Sequence, residues 1–360
     1  MTQRERIYVR SDTLWNMRID HPYSLAVLQG KTGWSCGQCP LGRNGETLSP
    51  GDLIGQVRHV SRIIKQILSD TGMTPSQVVK LVLYYVDQGP ETFGRMIATL
   101  REEFGQRALL IPVAVPHFYY DGMLVEIDFH VSHAPSERGE RGSSSDGFCI
   151  EIVDGDELAW ARVLVQRDNA AAAAKAARQA LDQLVGRRML LAEQWHISEA
   201  GDGEALTQLR NVGLCGDPGF AVQAGADREG FIHGELTFAY PGHSSSEAAH
   251  GDVSLLNRVA GDFFWIAGRA EAKLGGIVPQ TSAIMDAIRT ELERMHLDFG
   301  AVCKATTLYV GTASADDLHD NMKVRNRYYS KPGPSSTGLP VVAFPLSTSA
   351  VTISVLGRHA

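Results

Sequence analysis

Long apolar runs are missing from this chain: none of its 360 residues lies in a stretch long enough to span a bilayer. Residues 1–20 carry Arg, Asp and Glu throughout and hold no apolar segment, unlike a secretory signal. Five cysteines in a chain of this length do not make a disulfide framework. Basic residues are outnumbered, 34 Lys and Arg against 41 Asp and Glu, for a formal charge of −7. That balance weighs against a nucleic-acid partner, which needs a basic face. No Gly-rich phosphate loop and no set of ligands at metal spacing occurs, so no metal, flavin or nucleotide cofactor is expected. What remains is a soluble cytoplasmic protein with no nucleic-acid or membrane partner expected.

What is present is a repeat. The 44% hydrophobic content supports two or three domains with real cores. The stretch from Pro22 to Glu126 predicts a helix over Asp52–Asp70, a strand over Val78–Asp87, a second helix around Phe93–Phe104 and a strand over Leu109–Val115. It closes on Gly122 to Asp128. A displacement of 224 residues carries Gln56 onto Gln280, Ile64 onto Ile288, Leu68 onto Leu292, Lys80 onto Lys304 and Tyr85 onto Tyr309, with no gap. Half of that displacement points to a middle copy with almost no identity but the same order of elements. Its helix is expected at Asn169–Val185, its strand at Met189–Ile197 and its second helix at Glu204–Asn211. Closing strands are expected at Phe220–Ala224 and Phe231–Tyr240. Pro135–Gly147 and Pro241–Asp252, rich in Ser, Gly and charge, read as linkers.

The helices carry one apolar stripe each: Val57, Val60, Ile64, Ile67 and Leu68 in the first, Ile284, Ile288, Leu292 and Met295 in its counterpart. The strand at Val78–Val86 is apolar on both faces, with Leu81, Leu83 and Tyr85 on one and Val82, Tyr84 and Val86 on the other. Such a strand is buried on both sides. The helix covers one face; another copy or another subunit must cover the second.

Pro22-Tyr23-Ser24, the turn Cys36-Gly37-Gln38, the helix led by Gln56, the strand that follows Arg107 and the closing Val125-Glu126-Ile127 together resemble the Rid/YjgF family of small imine and enamine deaminases. The likeness covers nearly all of residues 20–133. It implies an α+β fold of tandem chorismate-mutase-like sheet-and-helix units, at 1–134, 148–242 and 253–360. Members of that family form trimers with sites in the clefts between subunits, so three copies imply a pseudo-trimer within one chain. Further homo-oligomerisation stays open, as does a pair of such domains around an unrelated insert.

The resemblance also implies roles. Arg107 stands where the family has its carboxylate clamp, and its planar fork suits that task. Glu126 is the closing acid, placed to position and deprotonate water. Tyr23 and Cys36 line the pocket, and the longer loop His117-Phe118-Tyr119-Tyr120-Asp121 adds a wall in which Tyr120 contacts substrate. Each has a plainer reading: a surface arginine, an outward acid, a structural tyrosine, an inert buried thiol. Cys36 and Cys39 also spell C-x-x-C, but lack the second ligand pair of a zinc site. His130 and His133 read as surface residues before a linker. The third copy has Ser335-Ser336-Thr337-Gly338 where Arg is expected and Thr352 where Glu is expected; the first of these resembles a chorismatase motif. The second copy offers Glu235 and no convincing arginine. The implied function is hydrolysis of a carboxylate-bearing imine or enamine. A chorismatase-like or other tailoring reaction and a non-catalytic metabolite binder are the alternatives.

Overall fold

The computed structural model describes residues 6–10, 14–198, 202–224, 230–240 and 243–359. They form three units that follow one another along the chain, each with a six-stranded sheet. The first contains β1 (Arg6–Val9), β2 (Ala26–Gln29), β3 (Thr32–Ser35), α1 (Leu53–Asp70), β4 (Val78–Tyr85), α2 (Pro90–Phe104), β5 (Leu109–Ala114) and β6 (Val125–Ser132). Its sheet order is β1-β2-β3-β6-β4-β5. The second contains β7 (Gly139–Ser143), β8 (Phe148–Asp154), β9 (Leu158–Gln166), α3 (Ala170–Val185), β10 (Met189–Ile197), α4 (Gly203–Asn211), β11 (Val222–Gln223) and β12 (Phe231–Ala239). The third contains β13 (His243–His250), β14 (Val253–Ala260), β15 (Phe263–Ala270), α5 (Ile277–Arg294), β16 (Val302–Tyr309), α6 (Ala315–Arg325), β17 (Ser335–Pro340) and β18 (Val351–Arg358). Their orders, β7-β8-β9-β12-β10-β11 and β13-β14-β15-β18-β16-β17, repeat the first.

Register confirms the correspondence residue by residue. Lys80 faces His130, Ala192 faces Thr237 and Lys304 faces Leu356, and each position follows directly on a bulge. By the same register Glu126, His233 and Thr352 are equivalent, opposite Tyr84, His196 and Leu308.

The two stretches expected to be linkers are not. Each contains the outer strand of the next sheet: β7 pairs with β8, and β13 pairs with β14 over its whole length. Polar composition misled because an edge strand needs no apolar face on its outer side; the described part of β7 is almost wholly exposed. The second and third units therefore begin earlier than 148 and 253.

Helix α1 starts where Asp52 accepts a hydrogen bond from the Gly55 amide (3.0 Å). Its stripe of Val57, Val60, Ile64, Ile67 and Leu68 is fully buried against the sheet. Each such side chain contributes about 1.5–3 kcal/mol of burial. All eight residues of β4 are buried. Leu81, Leu83 and Tyr85 pack under the helices, while Val79, Val82 and Tyr84 join a cluster shared by all three units, with Trp34, Trp160, Leu191, Trp265 and Leu308. The units meet in cyclic order. β16 and β17 lie on β2 and β3, β5 lies on β8 and β9, and β10 lies on β14 and β15.

Candidate functional site

A cleft lies between the first unit and the third, with about 660 Å³ of space when the open solvent at its mouth is counted. The first supplies Tyr23, Cys36, Gly37, Tyr119, Tyr120 and Glu126; the third supplies Leu318, Met322, Arg325, Ser336 and Gly338. The edges are stitched together by the Ser24 amide, which donates to the Pro334 carbonyl (3.0 Å), and by the Ser24 hydroxyl, which donates to the Gly333 carbonyl (2.8 Å).

The floor is the turn after β3. Gln38, wholly buried, donates to the carbonyls of Leu25 (2.9 Å) and Cys36 (3.0 Å) and accepts from the Trp15 indole (3.1 Å). Glu126 on β6 lies directly across Gly37: a Cβ there would stand 1.6 Å from the Glu126 carboxyl oxygen. Only glycine at 37 admits this acid to the cavity. Burial, with Asp128 adding to it, pushes the Glu126 carboxyl up to about 8, against the opposing pull of Cys39 and Lys304. At neutral pH it is mainly protonated and offers a proton. Cys36 and Cys39 are buried free thiols whose ionisation burial pushes up, so neither is an activated nucleophile.

Arg325, the last residue of α6, is 2% exposed. Its Nε donates to Asn321 Oδ1 (2.5 Å), which is itself held by the Asn321 amide donating to Thr281 (2.7 Å). Its Nη1 donates to Ser336 Oγ (3.1 Å), and the guanidinium sits 5.7 Å from the centre of the Tyr23 ring. Gly338 leaves room for Nη2; a Cβ there would come within 3.2 Å of it. Among the described residues no carboxylate lies within ion-pair distance of this buried cation. The hydroxyl of Tyr23 is buried beside Ser336 and Arg325, and that of Tyr329, also near Arg325, is buried without a hydrogen-bond partner. Tyr119 stacks on Tyr309 (6.0 Å, 11°) and, with Phe118, Met123, Leu318 and Met322, makes the rest of the wall apolar. Tyr120 lines the cavity while its hydroxyl accepts from the Arg18 amide (3.2 Å).

Four of the residues expected from sequence thus come together: Tyr23, Cys36, Tyr120 and Glu126. Arg107 does not join them. Its Nη1 donates to the Ser76 carbonyl (2.8 Å) and its Nη2 pairs with Glu137. The reason is topological. β5 faces the second unit, and the strand that meets Glu126 is β17 of the third, where Ser335 to Gly338 stand. His130, expected at the surface, is buried. Arg325 was missed, although the 224-residue displacement that relates Lys80 to Lys304 also relates Arg101 to Arg325.

The fold and cleft define a protein of three sheet-and-helix units with a cleft between two of them. The family model described as Endoribonuclease L-PSP matches residues 16–132. A RutC family protein of Pyrococcus horikoshii is 31% identical over 108 residues, 30% of this chain and 83% of the relative. One of Pyrococcus abyssi is 32% identical over 85 residues, 24% of this chain and 65% of the relative. Among solved structures, a Rid family protein of Yersinia pestis is 26% identical, with a TM-score of 0.28, over 35% of this chain and 98% of its own. The YjgF product of E. coli is 20% identical, with a TM-score of 0.30, over 35% and 98%. The chain belongs to the Rid/YjgF family, and its first unit carries the sequence likeness. No helix among the described residues is long and apolar enough to cross a membrane.

Proposed function

We propose that the cleft between the first and third units hydrolyses a small carboxylate-bearing imine or enamine. One observation carries this reading: a buried guanidinium without an acidic partner faces the same cavity as a protonated carboxyl. An unpaired buried cation is costly, and a substrate carboxylate neutralises it through charge-assisted hydrogen bonds. Arg325 takes the clamp role expected of Arg107. Glu126 then gives its proton to the imine nitrogen, and the carboxylate so formed takes a proton from the water that adds to carbon. Glu126 passes that proton to the amine nitrogen, and ammonia leaves as the hydroxyl proton returns to the Glu126 carboxylate and the carbonyl forms. Tyr23, which lines the same cavity, is available to a second oxygen of the substrate.

The apolar wall favours a second reading, a bulkier cyclic acid of the kind a chorismatase-like enzyme takes. Both place the carboxylate on Arg325. The partner is a small metabolite and not nucleic acid, consistent with the −7 charge. His233 and Thr352 hold the Glu126 position in the other units, so one complete site per chain is expected. The three units stand in for three subunits, and a native mass of one chain checks that.

The test is ammonia release from freshly generated imino acids of graded side-chain size, with ligand affinity measured in parallel. Arg325→Met should weaken binding about tenfold to a hundredfold, and Arg107→Ala should leave it unchanged. Equal binding by wild type and Arg325→Met would overturn the assignment.

A further inference from the structure

Behind the Gly37 turn lies a polar network that joins two units, and its Asp128 and Lys304 also line a second cavity where the three sheets meet. Thr337 Oγ1 accepts from the Gly37 amide (2.9 Å) and from Lys304 Nζ (2.5 Å), and donates to Asp128 (2.8 Å to Oδ1, 3.0 Å to Oδ2). Lys304 Nζ also donates to Asp128 Oδ2 (2.6 Å) and to the Ser35 carbonyl (2.8 Å). All three side chains are buried, at 1%, 6% and 2% for Thr337, Lys304 and Asp128. The hydroxyl uses its proton and both lone pairs, and the ammonium uses all three protons. A network so filled has one arrangement.

Its position matters because of what it touches. The Gly37 amide that Thr337 holds belongs to the residue against which the Glu126 carboxyl rests. Asp128 stands two residues from Glu126 on the same face of β6. We propose that Lys304 and Thr337, both from the third unit, are positioning residues for Glu126 of the first, fixing the turn under its carboxyl and setting the charge that the carboxyl faces. This rests on the reading of Glu126 as the proton donor of the site.

The groups facing Glu126 can be named by element. Its own strand gives Asp128, the turn after β3 gives Cys36 and Cys39, and β4 gives Tyr84. The loop before β6 gives Tyr119 and Tyr120, β16 gives Lys304 and Tyr309, and Arg325 lies across the cavity. Of the charged ones, Asp128 favours the protonated form of Glu126 more strongly than Lys304 opposes it. The signs follow. Removing Lys304 alone leaves Asp128 uncompensated and moves the Glu126 titration up. Removing both charges takes away the larger effect as well and moves it down.

The experiment is a carbon-13 NMR titration of the glutamate carboxyls in the whole, ligand-free chain, with Glu126→Gln identifying the resonance. Lys304→Met is expected to titrate above wild type, Lys304→Met with Asp128→Asn below it, and Thr337→Val above it by less than Lys304→Met. A residue that only supports the fold does not give shifts of opposite sign. If Lys304→Met alone fails to fold, the double variant, which strands no charge, decides by the direction of its shift. Coincident midpoints in folded variants, or a double variant shifted upward, overturn the proposal. No ligand is present, so failure of wild type to bind carboxylates counts against the proposed function and leaves this inference standing.

Discussion

Arg325 is a cation placed where folding alone gives no reason for one. Its neighbours Asn321 and Ser336 orient it without neutralising it. A bound carboxylate therefore stabilises the folded chain through mass action, by about 2.7 kcal/mol at a concentration a hundred times the dissociation constant. Melting curves should rise with such a ligand in wild type and rise by clearly less in Arg325→Met at the same ligand concentration. Glu126 has the opposite character, an acid kept neutral. Its folded titration point lies above the unfolded one, so its contribution is complete below the usual carboxyl range. It is lost as pH climbs toward about 8. Over that window stability should fall by up to about 1.4 kcal/mol per pH unit. Denaturant titrations at pH 6, 7 and 8 should show the decline in wild type and not in Glu126→Gln.

At the scale of elements, the site depends on one turn and one helix end. The turn after β3 is held on one side by Gln38 and on the other by Thr337, and Gly37 between them leaves space for an acid. Gly37→Ala puts a Cβ into the Glu126 carboxyl. A side chain is easier to displace than a strand, so the acid is expelled and the sheet remains. Turnover should be lost at least a hundredfold, melting should change by no more than about 1 kcal/mol, and the Glu126 carboxyl should return toward the ordinary carboxylate range. A carboxyl still held at about 8 in Gly37→Ala would show that the contact is not what places it. Helix α6 matters at its last residue, where the helix dipole favours a cation and delivers Arg325 to the cleft.

Over the whole molecule, the three-unit plan is written in charge as well as in apolar contacts. Lys80 of the first unit pairs with Glu235 of the second, and Lys304 of the third pairs with Asp128 of the first. The third place in this cycle falls to Ala192 and Ser354, which carry no charge. Two buried pairs and one blank fix which unit follows which. Lys80→Met leaves Glu235 stranded and should cost roughly 3–5 kcal/mol, whereas Lys80→Met with Glu235→Leu should recover most of it; denaturant midpoints of the two variants decide. Three buried imidazoles set the acid limit. Burial holds His130, His196 and His233 below the usual histidine range, His196 at about 4. Their contribution is complete above about 6.5, where the unfolded rings are neutral, and drains away as pH falls below it. With the Glu126 effect on the alkaline side, melting temperature should peak near about pH 6.5.

The repeat, the helices and the central strands were legible in the sequence because each follows from local periodicity. The stripe of α1, the two-faced strand β4 and the near-identical helix boundaries of the middle copy all lie within a few residues of where periodicity puts them. Glu126, Tyr23 and Cys36 were legible because they come from one unit, Glu126 on β6 and the other two just before β2 and just after β3. The outer strands β7 and β13 were not, since an exposed edge has no apolar alternation to read. Nor was the partner of Glu126. Sequence pairs residues within a copy, which led to Arg107, but the cleft pairs β6 of one unit with β17 and α6 of another. Which cation meets which acid was decided only when the units closed on one another. Local patterning determines an element, and the cyclic packing of three sheets determines whose side chain fills the space between them.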